Sequence, residues 1–219
     1  MVDMRVSKTR AGNGMRVRIS PPAQMTKEPS DILYTPLLAY VVGLALGDGN
    51  LSNPNGRATR LRITCDLKYP KLIQKIQNAL AILMPKNKVS IVKRSQNYLD
   101  ISCYSNKWES LLGWYANKGS KLIQNVSIPN WVKTNREYKI NCLKGLMETD
   151  GSIYLDRIYR TVMFTNASCN LARDVLEIII SLGFKPRFYT ASNGNNSIYR
   201  IRIAKNVAEF LDLVRPEKE

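Results

Sequence analysis

The sequence predicts an α+β protein made of two pseudo-symmetric αββαββα half-domains, each an antiparallel sheet backed by helices, joined at a two-helix interface. Three observations lead there. A nonapeptide occurs nearly twice: Val41-Val42-Gly43-Leu44-Ala45-Leu46-Gly47-Asp48-Gly49 and Leu143-Lys144-Gly145-Leu146-Met147-Glu148-Thr149-Asp150-Gly151. The same succession of helical and period-two patterns follows each copy. In the period-two segments one face is apolar and the other mostly cationic.

Composition narrows the chemistry. The chain has 219 residues, with 33 Lys and Arg against 17 Asp and Glu, a formal net charge of +16. The basic residues are spread along the chain, the footprint of a polyanion-binding surface. There is no histidine. This excludes Ser-His-Asp triads, histidine-ligated zinc and imidazole acid–base work, leaving carboxylates, lysines, metal ions and water. The four cysteines, Cys65, Cys103, Cys142 and Cys169, lie far apart without a C-x-x-C and read as reduced, buried thiols. No apolar run reaches the ~20 residues of a membrane helix, and no secretory signal is present. A soluble intracellular protein is expected, in the cytoplasm or nucleoid or in an organelle matrix, with no membrane partner.

Residues 1–30 read as a basic, irregular arm containing Ser20-Pro21-Pro22. Within it Val17-Arg18-Ile19 back-translates to GTT-CGA-ATC, similar to the T-arm of a tRNA gene; coincidence in a short basic segment explains it equally well. The first half-domain is set at 31–116. Pro36–Leu46 is a helix with Pro early and Gly49 past its end. Asn50-Leu51-Ser52 begins a strand, Asn53-Pro54-Asn55-Gly56 a turn, and Arg60–Cys65 alternates as a half-buried strand. Tyr69–Leu83 has helical spacing. Lys88–Arg94 and Tyr98–Tyr104 form a hairpin around Ser95-Gln96-Asn97, and Asn106–Tyr115 is a last helix. A linker, 117–137, carries Ile128-Pro129-Asn130-Trp131; connections this long usually have a job. The second half-domain, 138–219, repeats the order. Its helices are Tyr138–Thr149, Asn170–Leu182 and Asn206–Val214. Its strands are Ser152–Leu155, Arg160–Thr165, Arg187–Thr190 and Ser197–Ile203, with an Asn193-Gly194 turn.

Alternation sorts the strand residues. Leu61, Ile63, Val89, Ile91, Leu99, Ile101 and Cys103 make one apolar face, and Val162, Phe164, Phe188, Ile201 and Ile203 make the other. The opposite faces carry Arg60, Arg62, Thr64, Arg94, Tyr98, Asp100 and Ser102, then Thr161, Thr165, Lys185, Arg187, Tyr189, Arg200 and Arg202. A solvated sheet face usually mixes signs. These faces are mostly positive and suit the major groove of double-stranded DNA, with phosphate contacts commoner than base contacts.

The repeated nonapeptide carries the catalytic reading. Ala39, Gly43 and Gly47 lie at i, i+4 and i+8, and Gly145 and Thr149 repeat the spacing. Small residues on such a face let two helix backbones approach closely, which would bring Asp48 and Asp150 together at the shared end. A carboxylate at a helix C-terminus meets the negative end of the dipole, and two of them repel. Divalent magnesium on these acids relieves both. Asp-Gly is also an ordinary helix-to-strand junction.

Both motifs resemble those of the LAGLIDADG homing endonucleases in their single-chain, two-motif form. The resemblance covers roughly residues 32–214, including the Ile-Pro-x-Trp linker. It implies a monomer with two saddle-shaped sheets in the major groove. It further implies Mg2+-dependent hydrolysis of both DNA strands at a site of roughly 20 bp, leaving short 3′ overhangs. Asp48 and Asp150 would be the catalytic metal ligands, with the Gly47 and Thr149 carbonyls beside them. Mn2+ should substitute, and Ca2+ should support binding without cleavage. Lys205 matches the family's central lysine, its first-half counterpart falling near Ser105 with Lys107 two residues on. Asn166 matches a polar, water-ordering position whose counterpart is Cys65 or Asp66. The motif's sixth position, often acidic in the family, is Leu46 in the first copy and Glu148 in the second. The resemblance also admits an RNA maturase acting on its host intron RNA, or a non-cleaving DNA-binding regulator.

Overall fold

The computed structural model describes residues 33–94, 96–193 and 196–217. The N-terminal arm with Val17–Ile19, the turn residue Ser95 and the Gly194 turn position lie outside the described residues. Each half holds a four-stranded antiparallel sheet, ordered β1-β2-β4-β3 in the first and β5-β6-β8-β7 in the second. The expected α+β architecture is therefore present.

In the first half the elements are α1 (Pro36–Gly47), β1 (Gly49–Ser52), β2 (Arg60–Asp66), α2 (Pro70–Leu83), β3 (Val89–Lys93), β4 (Tyr98–Tyr104) and α3 (Trp108–Leu112). A short helix, α4 (Asn130–Lys133), precedes the second half. There follow α5 (Arg136–Thr149), β5 (Gly151–Asp156), β6 (Tyr159–Asn166), α6 (Cys169–Ser181), β7 (Arg187–Asn193), β8 (Asn196–Ile203) and α7 (Val207–Val214). No helix among the described residues is long and apolar enough to cross a membrane.

Local chemistry sets the helix starts. The Thr35 hydroxyl accepts from the Leu38 amide at 3.1 Å, and Pro36 occupies the first turn of α1. The Asn135 side chain accepts from Glu137 N at 2.8 Å and opens α5. Ser168 caps α6 through Leu171 N at 3.3 Å. Residues Leu38 to Leu46 of α1 are all buried, so this helix is surrounded rather than amphipathic. By contrast, α2 and α6 bury one face each, through Leu72, Ile76 and Leu80 and through Leu171, Val175 and Ile178.

The strand alternation is met in the sheet centres. Leu61, Ile63, Ile101, Phe164, Ile201 and Ile203 are buried. The outer strands depart from expectation, β3 and β7 each being an edge strand of its sheet. Ile91 is 40% exposed and Phe188 is 37% exposed, the latter stacking on Tyr199 at 6.0 Å. The helix expected over Asn106–Tyr115 shrinks to Trp108–Leu112 because Gly113 adopts a left-handed φ of 84° and returns its amide to the Glu109 carbonyl. Part of the expected linker is helical, as α4 and as the first turn of α5.

Candidate functional site

Helices α1 and α5 meet backbone to backbone. A Cβ on Gly43 would overlap the Cys142 carbonyl and stand 3.0 Å from the Leu146 nitrogen. One on Gly145 would overlap the Tyr40 carbonyl and stand 2.7 Å from the Leu44 nitrogen. At the C-terminal end, a Cβ on Gly47 would overlap the Thr149 side chain. Ala39 is fully buried. Thr149 turns its hydroxyl back to the Gly145 and Leu146 carbonyls, both at 3.1 Å, and that hydroxyl oxygen and the Cβ face Gly47.

The next residue in each chain segment is the aspartate. Asp48 caps α1 with φ −89° and ψ 7°, and Asp150 caps α5 with φ −93° and ψ −2°. Each acid's carbonyl is bound by the second strand of its own sheet: Thr64 N donates to Asp48 O at 3.5 Å and Thr165 N to Asp150 O at 3.2 Å. The motif's final Asp thus stands at the junction of helix end, first strand and second strand in both halves.

The surroundings of the two acids differ. Asn166 donates its side-chain amide to the Asp150 carboxylate at 2.6 Å. Because Thr64 and Thr165 play the same part, the residue after each is equivalent, and Cys65 rather than Asp66 is the counterpart of Asn166. Leu46 is buried, and its partner position Glu148 is buried with its own set of donors. Glu148 accepts from the Tyr40 hydroxyl at 2.6 Å, Lys75 Nζ at 3.0 Å and Glu217 N at 3.0 Å. Burial and the Glu148 charge keep the Tyr40 hydroxyl firmly protonated.

In the second sheet Arg200 lies opposite Thr165 and Ile203 opposite Val162, and Lys205 follows the end of β8 by two residues. Ser105 likewise follows the end of β4, five residues beyond Asp100, which pairs with Thr64; it is buried and donates its amide to Thr59 O. Both placements follow from strand direction: β4 and β8 start near the acids and run away from them.

Lysine comes instead from the linker. The Lys121 ammonium donates to the carbonyls of Ala45 at 3.1 Å, Leu46 at 2.6 Å and Gly47, covering the C-terminus of α1. Burial pushes its pKa down to about 8, although the Asp150 and Asp48 carboxylates both draw it upward. The Gln124 side chain shapes this turn, donating to the Tyr115 and Gly119 carbonyls and accepting from Tyr115 N, all at 2.9 Å. Downstream, Asp174 of α6 holds the linker, accepting from Ile128 N at 2.7 Å and from Lys133 Nζ. The sequence signal for Lys121 was the length of the linker and the lysine within its Gly119-Ser120-Lys121 turn.

The polar sheet faces also assemble. Arg60 pairs across from Tyr104, Arg62 from Ser102 and Thr64 from Asp100. Asp100 was expected to face DNA, yet it is 4% exposed. It accepts from Thr64 Oγ1 at 2.8 Å and Arg94 Nε at 2.7 Å, with Arg62 at 3.8 Å. Burial favours its neutral form, but the bonds from Arg94 and Thr64 and the charges of Arg62 and Arg94 outweigh this and hold its pKa below the usual range. Ser102 and Thr161, from the same expectation, are likewise buried. In the second sheet Arg187 lies directly opposite Arg202, and Arg200 lies between Thr165 and Tyr189. Arg202 pairs with Asp156. Lys185, Arg187, Tyr189 and Arg200 are exposed, Arg94 is exposed in the first half, and Tyr98 is half-buried.

The donor set at the helix ends suits a hard divalent cation. It consists of two carboxylates and main-chain carbonyls without nitrogen or sulfur ligands, and magnesium is commonly held by one or two carboxylates plus substrate phosphate. Among the described residues no three acidic, cysteine or histidine side chains form a closed metal cluster.

Residues 137–215 match the model of the LAGLIDADG-like domain. No curated protein sequence matches the chain. Among solved structures, mesophilic variants of the homing endonuclease I-DmoI superpose with a TM-score of 0.62 at 18% identity, over 82% of this chain and 96% of that one. I-DmoI in complex with DNA and Mn gives 0.60 at 20% identity over the same shares. The N-terminal LAGLIDADG domain of DUF199/WhiA gives 0.56 at 14% identity, over 84% of this chain and 86% of that one. The protein therefore carries a LAGLIDADG-like domain in its second half and takes the two-sheet LAGLIDADG fold of I-DmoI.

Proposed function

We propose that the protein is a monomeric, site-specific, Mg2+-dependent endonuclease. It cuts both strands of a duplex target of roughly 20 bp and leaves short 3′ overhangs. The observation that carries this reading is the pair of aspartates capping two helices that touch at Gly47 and Thr149. The fold is shared with DUF199/WhiA, so cleavage rests on these residues and not on the fold.

Asp48 and Asp150, with the Gly47 and Thr149 carbonyls, would hold the magnesium, and Mn2+ would substitute. The bound cation supplies an activated water and stabilises the leaving oxygen of the phosphodiester. The chain's own residues hold the rest of the site. Asn166 fixes the Asp150 carboxylate. Lys121 offsets the negative end of α1 and brings a cation to the two acids. Its bond to Gly47 O engages a carbonyl that would also be offered to the metal. Arg62 and Arg94 are oriented by Asp100, so the acid buried under them sets the arginines that meet phosphate or base edges. Arg187 opposite Arg202 is a like-charge pair that costs stability in the free protein and is offset by a polyanion. I-DmoI complexes with DNA and Mn and with DNA and Ca support both the metal and the duplex partner.

The deciding experiment is cleavage selection on a randomised duplex library. Wild type cuts with Mg2+, binds without cutting in Ca2+, and both Asp48→Asn and Asp150→Asn bind without cutting. Cutting by the double variant would overturn the assignment. Binding without cutting by wild type would move the reading to a regulator, and splicing of a host intron RNA to a maturase.

A further inference from the structure

A cavity of about 570 Å³ opens between α1, α2 and α5. It borders the first half of α1 and the middle of α5. Lys144 precedes Asp150 by six residues and Tyr40 precedes Asp48 by eight, which at helical rise is roughly 9 and 12 Å along the axes. Its volume lies in the range of small-molecule sites.

The walls divide by chemistry. Lys71 and Lys75, one turn apart on α2, face Lys144 on α5. Leu37, Ala79 and Ile82 make an apolar wall, and Ile82 is 66% exposed. The side-chain amides of Gln74, Asn78 and Asn141 lie between. Gln74 and Asn78 are bonded to each other at 2.9 Å, which holds both in place along α2.

Two observations point to an anionic occupant. Lys144 is set against Lys75; burial first, and then that like charge, lower its pKa. The second is the chain's own tail. The Glu217 carboxylate reaches into the lining and lies 3.4 Å from Lys75 Nζ, which also donates to the buried Glu148 at 3.0 Å, while Glu217 N is held by Glu148. A carboxylate therefore already occupies one anion position in this cavity, brought there by a tail residue that a stronger anion can replace.

We propose that this cavity binds a nucleoside phosphate, with the phosphates on Lys144 and Lys71 and replacing the Glu217 carboxylate beside Lys75, and the nucleoside against Leu37, Ala79 and Ile82. The amides supply hydrogen-bond partners for a base edge. The site is separate from the aspartates and needs neither magnesium nor duplex DNA, so it stands or falls independently of the nuclease reading.

The test is calorimetric titration of the full chain with ADP, in EDTA at 0.15 M salt, beside inorganic phosphate, adenosine and a single-stranded RNA oligonucleotide. ADP should bind saturably at one site, more tightly than phosphate or adenosine. Lys144→Met should weaken ADP about tenfold or more, as expected for loss of a charged hydrogen bond. Glu217→Gln, which removes the competing carboxylate, should tighten it. Asp48→Asn and Arg62→Met should leave it unchanged. Absence of saturable ADP binding, equal loss in Lys144→Met and Arg62→Met, or insensitivity to Lys144→Met with the fold intact by circular dichroism would each overturn the proposal. RNA binding lost in Lys144→Met without ADP binding would replace it with an RNA surface.

Discussion

Asn166 donates its side-chain amide to the Asp150 carboxylate at 2.6 Å, whereas the equivalent strand position beside Asp48 is Cys65. A thiol is a weak donor and cannot reproduce the amide's bond. The two halves of the site are thus built unequally around identical acids.

Replacing Asn166 with Ala should slow cleavage by about 10–100-fold, the usual cost of removing a ligand's orienting partner. The loss should fall mainly on one strand. Nicking assays with each strand labelled separately would show it; equal slowing of both strands would argue against the unequal-site reading.

Lys121→Met should leave the Ala45, Leu46 and Gly47 carbonyls without their common donor and the two aspartates without their nearest linker cation. Cleavage should fall about 10–100-fold while DNA affinity in Ca2+ is retained. Unchanged single-turnover rates would remove Lys121 from the site.

Gly43→Ala and Gly145→Ala should each destabilise the protein by about 1–3 kcal/mol or more, because the added methyl meets backbone and cannot be relieved by a rotamer change. Chemical denaturation measures this. Gly56→Ala, with open space around its Cβ but a φ of 67°, should cost only its local backbone strain.

Asp100→Asn should destabilise by about 1–3 kcal/mol at pH 7 through loss of the charged hydrogen bonds that the buried carboxylate accepts. The sign with pH follows from the lowered carboxyl pKa. Asp100 contributes fully above the unfolded value of about 3.9 and loses that contribution as pH falls through the folded value. Urea midpoints of wild type and variant should therefore converge in acid. A gap that stays constant from pH 7 to pH 3 would contradict the assignment.

Duplex binding should weaken steeply with salt, and Arg187→Gln should reduce the log–log salt slope by about one if that arginine meets phosphate. The same substitution removes the like-charge pair with Arg202, so free-protein stability should hold or rise. A slope equal to wild type would exclude phosphate contact at this position.

The sequence alone determined what local pattern controls. Hydrophobic period, turn residues and small-residue spacing are written in neighbouring positions, so both αββαββα orders, the two-helix contact and the placing of Asp48 and Asp150 at its end could be read directly. Tertiary structure decided what depends on chain direction and on loops. Strand polarity, which no strand pattern records, runs β8 away from the acids before the chain reaches Lys205. Burial turns Asp100 from a surface contact into the anchor of Arg62 and Arg94, because two long side chains close over it. The linker lysine, Lys121, reaches α1 through a turn stabilised by Gln124, and no periodicity foretells which loop residue ends at a helix terminus. Periodicity reports which face a residue takes within its element; only the folded chain sets which elements meet and in which direction they run.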